Sequence, residues 1–191
     1  MQDMLELFDP KDINKSASAY NAEKLDWLNA HYIKQSSFEK LENLLKDDYD
    51  LDISEVNNKE FLLEISKDRA NTLIQLKDAI KKIIDIPSEY EKKGVKKFVK
   101  ENTLDTLKSY IALLEENKNS LNSVEDIENI TKPFIEQNEL KFPQLFQPIR
   151  IALTGGTQAP SVYDIIFILG IDETIDRINS AIAQNFGKEI A

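Results

Sequence analysis

Cysteine is absent and histidine occurs once, as His31, in a chain of 191 residues. Without thiols there is no disulfide framework, no thiolate nucleophile and no zinc–thiolate site. One imidazole cannot build a multi-histidine zinc centre or supply a credible Ser/His/Asp set. Glycine and proline are scarce too, 5 and 6 residues, so few breaks interrupt regular structure. No apolar run approaches the roughly 18 residues of a membrane span, and no leader-peptide pattern opens the chain. The expectation is a cytoplasmic protein with no membrane partner. Basic residues number 24 against 34 acidic, a net charge of −10, which argues against a broad nucleic-acid or DNA binder. With 41% hydrophobic residues, the chain has enough apolar side chains for one or two packed domains.

The charge is unevenly spread. Residues 1–65 carry a net −8, residues 66–100 a net +5, and residues 101–191 a net −7. Lys-rich stretches are commonly solvated helix faces. A local footprint for a polyanion is the sharper reading, and charge alone does not choose between the two.

Apolar residues recur at helical intervals along most of the chain. Leu25, Leu28, Tyr32 and Ile33 form one stripe, and Phe38, Leu41, Leu44 and Leu45 the next. Others follow at Phe61–Ile65, Leu73–Ile84, Leu104–Leu114, Val162–Leu169 and Ile175–Ile182. No alternating stretch argues for a strand. Breaks are expected at Asp9-Pro10, Ile86-Pro87, Lys132-Pro133, Phe142-Pro143 and Gln147-Pro148, with Pro148 opening or kinking a helix. Gly155-Gly156 is the strongest stop. Ser161 and Asp164 suggest a capping-box variant for the following helix. The expected fold is all-α, with two helical subdomains meeting near Pro87.

Chemistry-bearing motifs are sparse. Gly155-Gly156 follows an apolar stretch but lacks the third glycine of a dinucleotide loop and the Lys-Ser/Thr of a P-loop. A helix C-cap fits it better. Asp47, Asp48, Asp50 and Asp52 lack the glycine and terminal glutamate of a calcium loop, so a solvated acidic turn is expected. His31 follows Trp27 by four residues, which suits a packed aromatic face. No catalytic centre and no metal site emerges.

Two stretches carry a resemblance. Phe8 to Tyr32 reads FDPKDINKSASAYNAEKLDWLNAHY, and Gln147 to Gly170 reads QPIRIALTGGTQAPSVYDIIFILG. The first resembles bacterial glutamyl-tRNA synthetases just downstream of their KMSKS loop. The second resembles their C-terminal PLR-x-ALTG motif. Between them, Ser66 to Leu73 (SKDRANTL) is similar to the arginine-bearing helix start of the family's anticodon-binding region. Order and spacing agree over nearly the whole chain. HIGH-like and KMSKS-like signatures are absent, so the resemblance implies the C-terminal part of such an enzyme without its catalytic domain.

The resemblance implies an all-α structure in which two helical subdomains form an anticodon-binding helical cage. Residues 1–34 would end the tRNA stem-contact region, and 35–86 and 87–191 would be the two subdomains. Arg69 falls where the family reads the third anticodon base. Arg150 matches the arginine of PLR-x-ALTG, and Ala159, Pro160 and Val162 fall on anticodon-contacting loop positions. Tyr163 offers a stacking face. A guanidinium fork suits base-edge acceptors, and splayed loop bases suit such packing. The family often has Ser or Thr at Ala159 and Gly at Ser161. Without the resemblance, Arg69 fits a surface or capping arginine, Arg150 a partner of Asp164, and Trp27 and Leu28 packing between subdomains.

The implied function is anticodon recognition within a glutamate–tRNA ligase, which attaches glutamate to tRNA with ATP and Mg. This part would need no cofactor, act as a monomer, and take tRNA-Glu, or tRNA-Gln as the alternative. Two other classes remain: a stand-alone helical protein-interaction module, and an autonomous enzyme binding phosphate at Gly155-Gly156. With the positive charge confined to 66–100, RNA binding should involve few phosphates and depend modestly on salt.

Overall fold

The computed structural model describes residues 21–187. Among the described residues ten α-helices run in order: α1 Ala22–Gln35, α2 Phe38–Tyr49, α3 Lys59–Lys67, α4 Leu73–Ile84, α5 Lys92–Phe98, α6 Thr103–Asn117, α7 Val124–Gln137, α8 Phe142–Thr154, α9 Val162–Leu169 and α10 Ile171–Ala183. Short 3-10 turns follow α6 and α10. No strand occurs among the described residues, and the fold is all-α as the apolar spacing expects. Residues Phe8 to Tyr20 of the first motif, and the Asp9-Pro10 break, lie outside the described residues.

Local chemistry starts the helices. Asn21, Ser37, Thr72 and Ser123 each accept a hydrogen bond from a backbone N–H of the first turn, satisfying donors the helix itself leaves orphaned. At α7 the cap is reciprocal: Ser123 Oγ accepts from Asp126 N, while Asp126 Oδ2 accepts from Ser123 Oγ and Asn122 N. Ser161 does cap α9 by position, but its side chain makes no capping bond. The expected Ser161/Asp164 box is therefore not formed.

Proline departs from expectation. Pro143 opens α8, yet Pro133 lies inside α7 and Pro148 inside α8. An interior proline removes one helix hydrogen bond and typically costs about 3 kcal/mol or more. Packing outweighs that cost here. Within α8, Leu145, Ile149, Ile151, Ala152 and Leu153 are all fully buried, and each large aliphatic side chain so buried contributes roughly 1.5–3 kcal/mol. α8 is the central helix, touching α4, α5, α6, α9 and α10.

The first helical stripe of the sequence, on α1, is the exception to burial. Ile33 is buried, but Leu25, Trp27 and Tyr32 face outward, Trp27 at 65% exposure. Trp27 and His31 do stack, 5.5 Å apart, as an exposed pair rather than a packed face. α4 packs against α8 and α9, so the chain on either side of Pro87 shares one continuous core.

Candidate nucleic-acid interface

The surface around the α8–α9 loop begins with a stop. α8 ends at Gly155, whose φ of +74° is left-handed and whose N–H donates to the Ile151 carbonyl at 2.8 Å. Glycine takes that conformation without a Cβ penalty. The loop then folds onto the segment before α5. Glu91 N–H donates to the Gly155 carbonyl at 2.7 Å, and the Glu91 carboxylate accepts from Thr157 N–H at 2.8 Å and Thr157 Oγ1 at 2.7 Å. Those two bonds hold the Glu91 carboxyl below the usual carboxylate range. Gly94 of α5 allows the approach, since a Cβ there would stand 2.5 Å from the Thr157 methyl. A carboxylate thus occupies the N–H that a phosphate loop would offer, and Gly155-Gly156 serves as a helix stop.

Arg150 lies one turn before that stop. Its Nη2 donates to the Pro160 carbonyl at 3.3 Å, tying α8 to the end of the loop. It makes no ion pair with Asp164 within 4.0 Å, so the pairing its own chemistry suggested is not formed. Burial lowers the Arg150 pKa, and the charge of Arg69 lowers it further. Arg69 is exposed, just past α3, with its N–H on the Ser66 carbonyl at 3.1 Å. Asp164, in the first turn of α9, is raised by burial, with Arg69 acting against the rise. Arg69, Arg150 and Asp164 therefore share one electrostatic neighbourhood, although they come from three different segments.

Aromatic rings extend the surface. Tyr163 meets Phe146 edge-on at 5.1 Å, and Phe146 stacks on Phe142 at 5.5 Å. Phe142 is 53% exposed. No motif in the sequence marks Phe142 and Phe146 as a surface, and their i, i+4 spacing on one helix is the signal it offers. Tyr163 is half-buried, and its hydroxyl is pushed up to about 12 by desolvation and by Glu128.

Buried polar groups in folded proteins nearly always find partners. Gln147 Oε1, Arg150 Nε and Tyr163 OH have none here, so unused hydrogen-bonding capacity concentrates on α8 and α9 beside the loop. The remaining sequence-derived positions differ in access. Ala159 is half-buried, whereas Pro160 is buried and Val162 is 2% exposed. The Val162 side chain belongs to the core.

Among the described residues, no group of His, Asp and Glu side chains could hold a metal ion, and no helix is long and apolar enough to cross a membrane. Asp52 of the acidic turn instead pairs with Lys46 at 2.7 Å and accepts from Ser54 N–H at 2.9 Å.

Two arginines, an aromatic row and a pinned loop lie on an all-helical scaffold, an arrangement that suits the packing and edge-reading of single-stranded bases. The anticodon binding domain family model matches residues 20–182, and the chain belongs to that family. It is 64% identical over 186 residues to Glutamate–tRNA ligase 1 of Aliarcobacter butzleri (strain RM4018), covering 97% of this chain and 39% of that relative. It is 44% identical over 178 residues to Glutamate–tRNA ligase 2 of Campylobacter fetus subsp. fetus (strain 82-40), covering 93% of this chain and 38% of that protein. Among solved structures, a glutamate tRNA ligase from Elizabethkingia meningosepticum shares the fold with a TM-score of 0.79 at 23% identity, covering 95% of this chain and 36% of that one. The chain thus spans about two fifths of the curated relatives it matches.

Proposed function

We propose that this chain is the anticodon-reading part of a glutamate–tRNA ligase, an enzyme that attaches glutamate to tRNA using ATP. The observation that carries the reading is Arg150, tied to the end of the α8–α9 loop through its Nη2 on the Pro160 carbonyl while its buried Nε has no partner, with Arg69 adding to the positive field there. Among the described residues neither arginine forms an ion pair, and free guanidinium donors suit electron-rich partners such as base edges and phosphates. Family membership and the relatives' names support the same conclusion.

In this reading Arg69 and Arg150 donate to the edges of splayed anticodon bases. Ala159 and the edge of Tyr163 supply packing, Pro160 and Val162 hold the loop from beneath, and Phe142 with Phe146 extends the stacking surface. Residues 1–34 end a stem-contact region, and 35–86 and 87–191 act as the two anticodon-binding subdomains. Glutamate activation, with ATP and Mg, belongs to the catalytic part of the parent enzyme, and this part needs no cofactor. We place the enzyme in the cytoplasm as a monomer. The cognate RNA is tRNA-Glu. The numerals 1 and 2 in the relatives' names fit organisms with two such ligases, for which tRNA-Gln is the other substrate to test.

The test is a binding titration of the chain with tRNA-Glu and tRNA-Gln transcripts at stated salt. Selective binding of one, lost in Arg69→Ala and Arg150→Ala, is expected. Equal and weak binding of both, unaffected by either substitution, would overturn the assignment and favour a protein-interaction module. In that case the outward Trp27 and Tyr32 of α1 would be the surface to examine.

A further inference from the structure

We propose that Lys82, Lys93 and Lys97 form a phosphate track that carries the RNA backbone outward from the anticodon-contacting loop along α5. This rests on the function proposed above and adds to it the residues that would meet the phosphodiester chain. The partner is the backbone of the same RNA strand whose bases meet Arg69 and Arg150.

The geometry makes the track continuous with the loop. Lys82 Nζ lies 3.8 Å from where a Cβ on Gly156 would stand. Glu91 is next, binding Thr157 through two hydrogen bonds. Glu91 Oε2 and Lys82 Nζ stand 3.6 and 3.8 Å from that same point, and Lys93 follows Glu91 by two residues in the first turn of α5. Lys97 follows Lys93 by one helical turn, its ammonium 4.9 Å over the Phe98 ring. Thr157 is three residues from Pro160, which takes the Arg150 hydrogen bond.

The charge is also unspent. Among the described residues, eight lysines are ion-paired: Lys34, Lys46, Lys59, Lys67, Lys81, Lys108, Lys118 and Lys132. Lys82, Lys93 and Lys97 make no such pair there. Glu91, the carboxylate on which Lys82 and Lys93 act, is engaged by Thr157. Like charges one turn apart destabilise a helix, and a polyanion relieves that repulsion while its counterions are released. An anionic membrane fits less well. A bilayer would meet a broad surface, and the chain outside residues 66–100 is strongly acidic.

The experiment is anisotropy with a labelled anticodon stem-loop of tRNA-Glu, bound to the chain from 50 to 300 mM salt. The wild type is compared with the triple variant Lys82→Gln/Lys93→Gln/Lys97→Gln. All three side chains are exposed, so circular dichroism should be unchanged. Each lost phosphate contact should reduce the slope of log K against log salt by about 0.7–0.9. A slope flatter by about 2–3 is expected, with discrimination between matched and base-substituted anticodons preserved. Arg69→Ala should show the reverse pattern, losing discrimination with little change in slope. A triple variant with the wild-type slope overturns the track alone. Loss of slope only on replacing Lys92, Lys96 and Lys100, which line a separate cavity with Val95, Val99 and Phe186, also overturns it. Preferential binding of the wild type to vesicles containing phosphatidylserine would reassign the lysines to a membrane. Failure of the wild type to bind any stem-loop removes the functional reading, and the track with it.

Discussion

The guanidinium of Arg177 donates to the carbonyl of Ile83, 94 residues earlier in the chain, at 3.0 Å. It also donates to Asp85 and Leu153 carbonyls at 3.0 and 2.8 Å, to the Ile84 carbonyl at 2.7 Å, and to Glu173 at 2.7 Å. Those carbonyls belong to the ends of α4 and α8, where helices leave acceptors without partners. One arginine, 4% exposed, therefore joins the helix that follows Arg69 to the helix that carries Arg150. Arg177→Met should cost about 3–5 kcal/mol, because it strands several buried acceptors and Glu173 at once. Arg177→Lys should recover only part of this, lacking the planar fork. Urea unfolding midpoints check both, and a loss under 1 kcal/mol in Arg177→Met would contradict the account.

Two left-handed glycines separate strain from collision. A Cβ on Gly170 would meet nothing within 4 Å, whereas one on Gly155 would stand 2.8 Å from the Glu89 carbonyl oxygen. Gly170→Ala should cost roughly 1–3 kcal/mol from backbone strain alone, its φ of 78° with ψ of 166° being open essentially only to glycine. Gly155→Ala should cost a further 1–3 kcal/mol or so from crowding, and should weaken stem-loop binding by displacing the loop. Thermal melts rank the pair, and equal losses would count against the clamp at Glu89–Glu91.

Tyr163 and Tyr110 differ in what their hydroxyls do. Tyr110 OH bonds Thr131 Oγ1 at 2.9 Å in the core, while Tyr163 OH is buried without a partner. Tyr110→Phe should lose about 1 kcal/mol. Tyr163→Phe should be neutral or stabilising by chain stability, since it removes an unsatisfied group. If stem-loop binding falls in Tyr163→Phe while stability does not, the hydroxyl serves the RNA.

Acid should act on the two carboxyls of the interface in opposite directions. The Glu91 pKa is depressed, chiefly by hydrogen bonds from Thr157, so its contribution is present above the ordinary carboxylate range and lost as pH falls through its folded value. The Asp164 pKa is raised, chiefly by burial, so ionisation opposes folding. Its contribution is full below the ordinary carboxylate range and is lost as pH rises through its folded value. Arg69→Ala should raise the Asp164 pKa further by removing the opposing charge. Carboxyl-carbon NMR titration reads this directly, and an unmoved Asp164 would separate Arg69 from this neighbourhood.

Much of the helical layout was legible because it depends on local spacing. The stripes at Leu73–Ile84 and Leu104–Leu114 match α4 and α6, and Gly155 stops α8 where a left-handed residue is needed. The 92–98 and 124–137 helices were missed. Pro133 masked α7, although Ile127, Thr131, Phe134 and Ile135 keep its buried face. Pro148 misled in the same way, since local rules price the missing hydrogen bond but not the burial that offsets it. At the interface, Arg69 and Arg150 came from motif resemblance. Their proximity, the burial of Val162 and the Phe142–Phe146–Tyr163 row depend on how α8 and α9 pack.

By itself the sequence determined the helical periodicity, the absence of thiol and multi-histidine chemistry, and the concentration of positive charge between residues 66 and 100. These follow from residue types and spacings of a few positions, which no packing can alter. Tertiary structure alone decided that Arg177 would satisfy the ends of α4 and α8. It also decided that Glu91 would pin Thr157, and that Lys82 would come to the edge of the same loop. Such pairings join segments tens of residues apart, and their partners are backbone carbonyls or single side chains without a sequence pattern. Only the burial of a shared core brings them within hydrogen-bonding range.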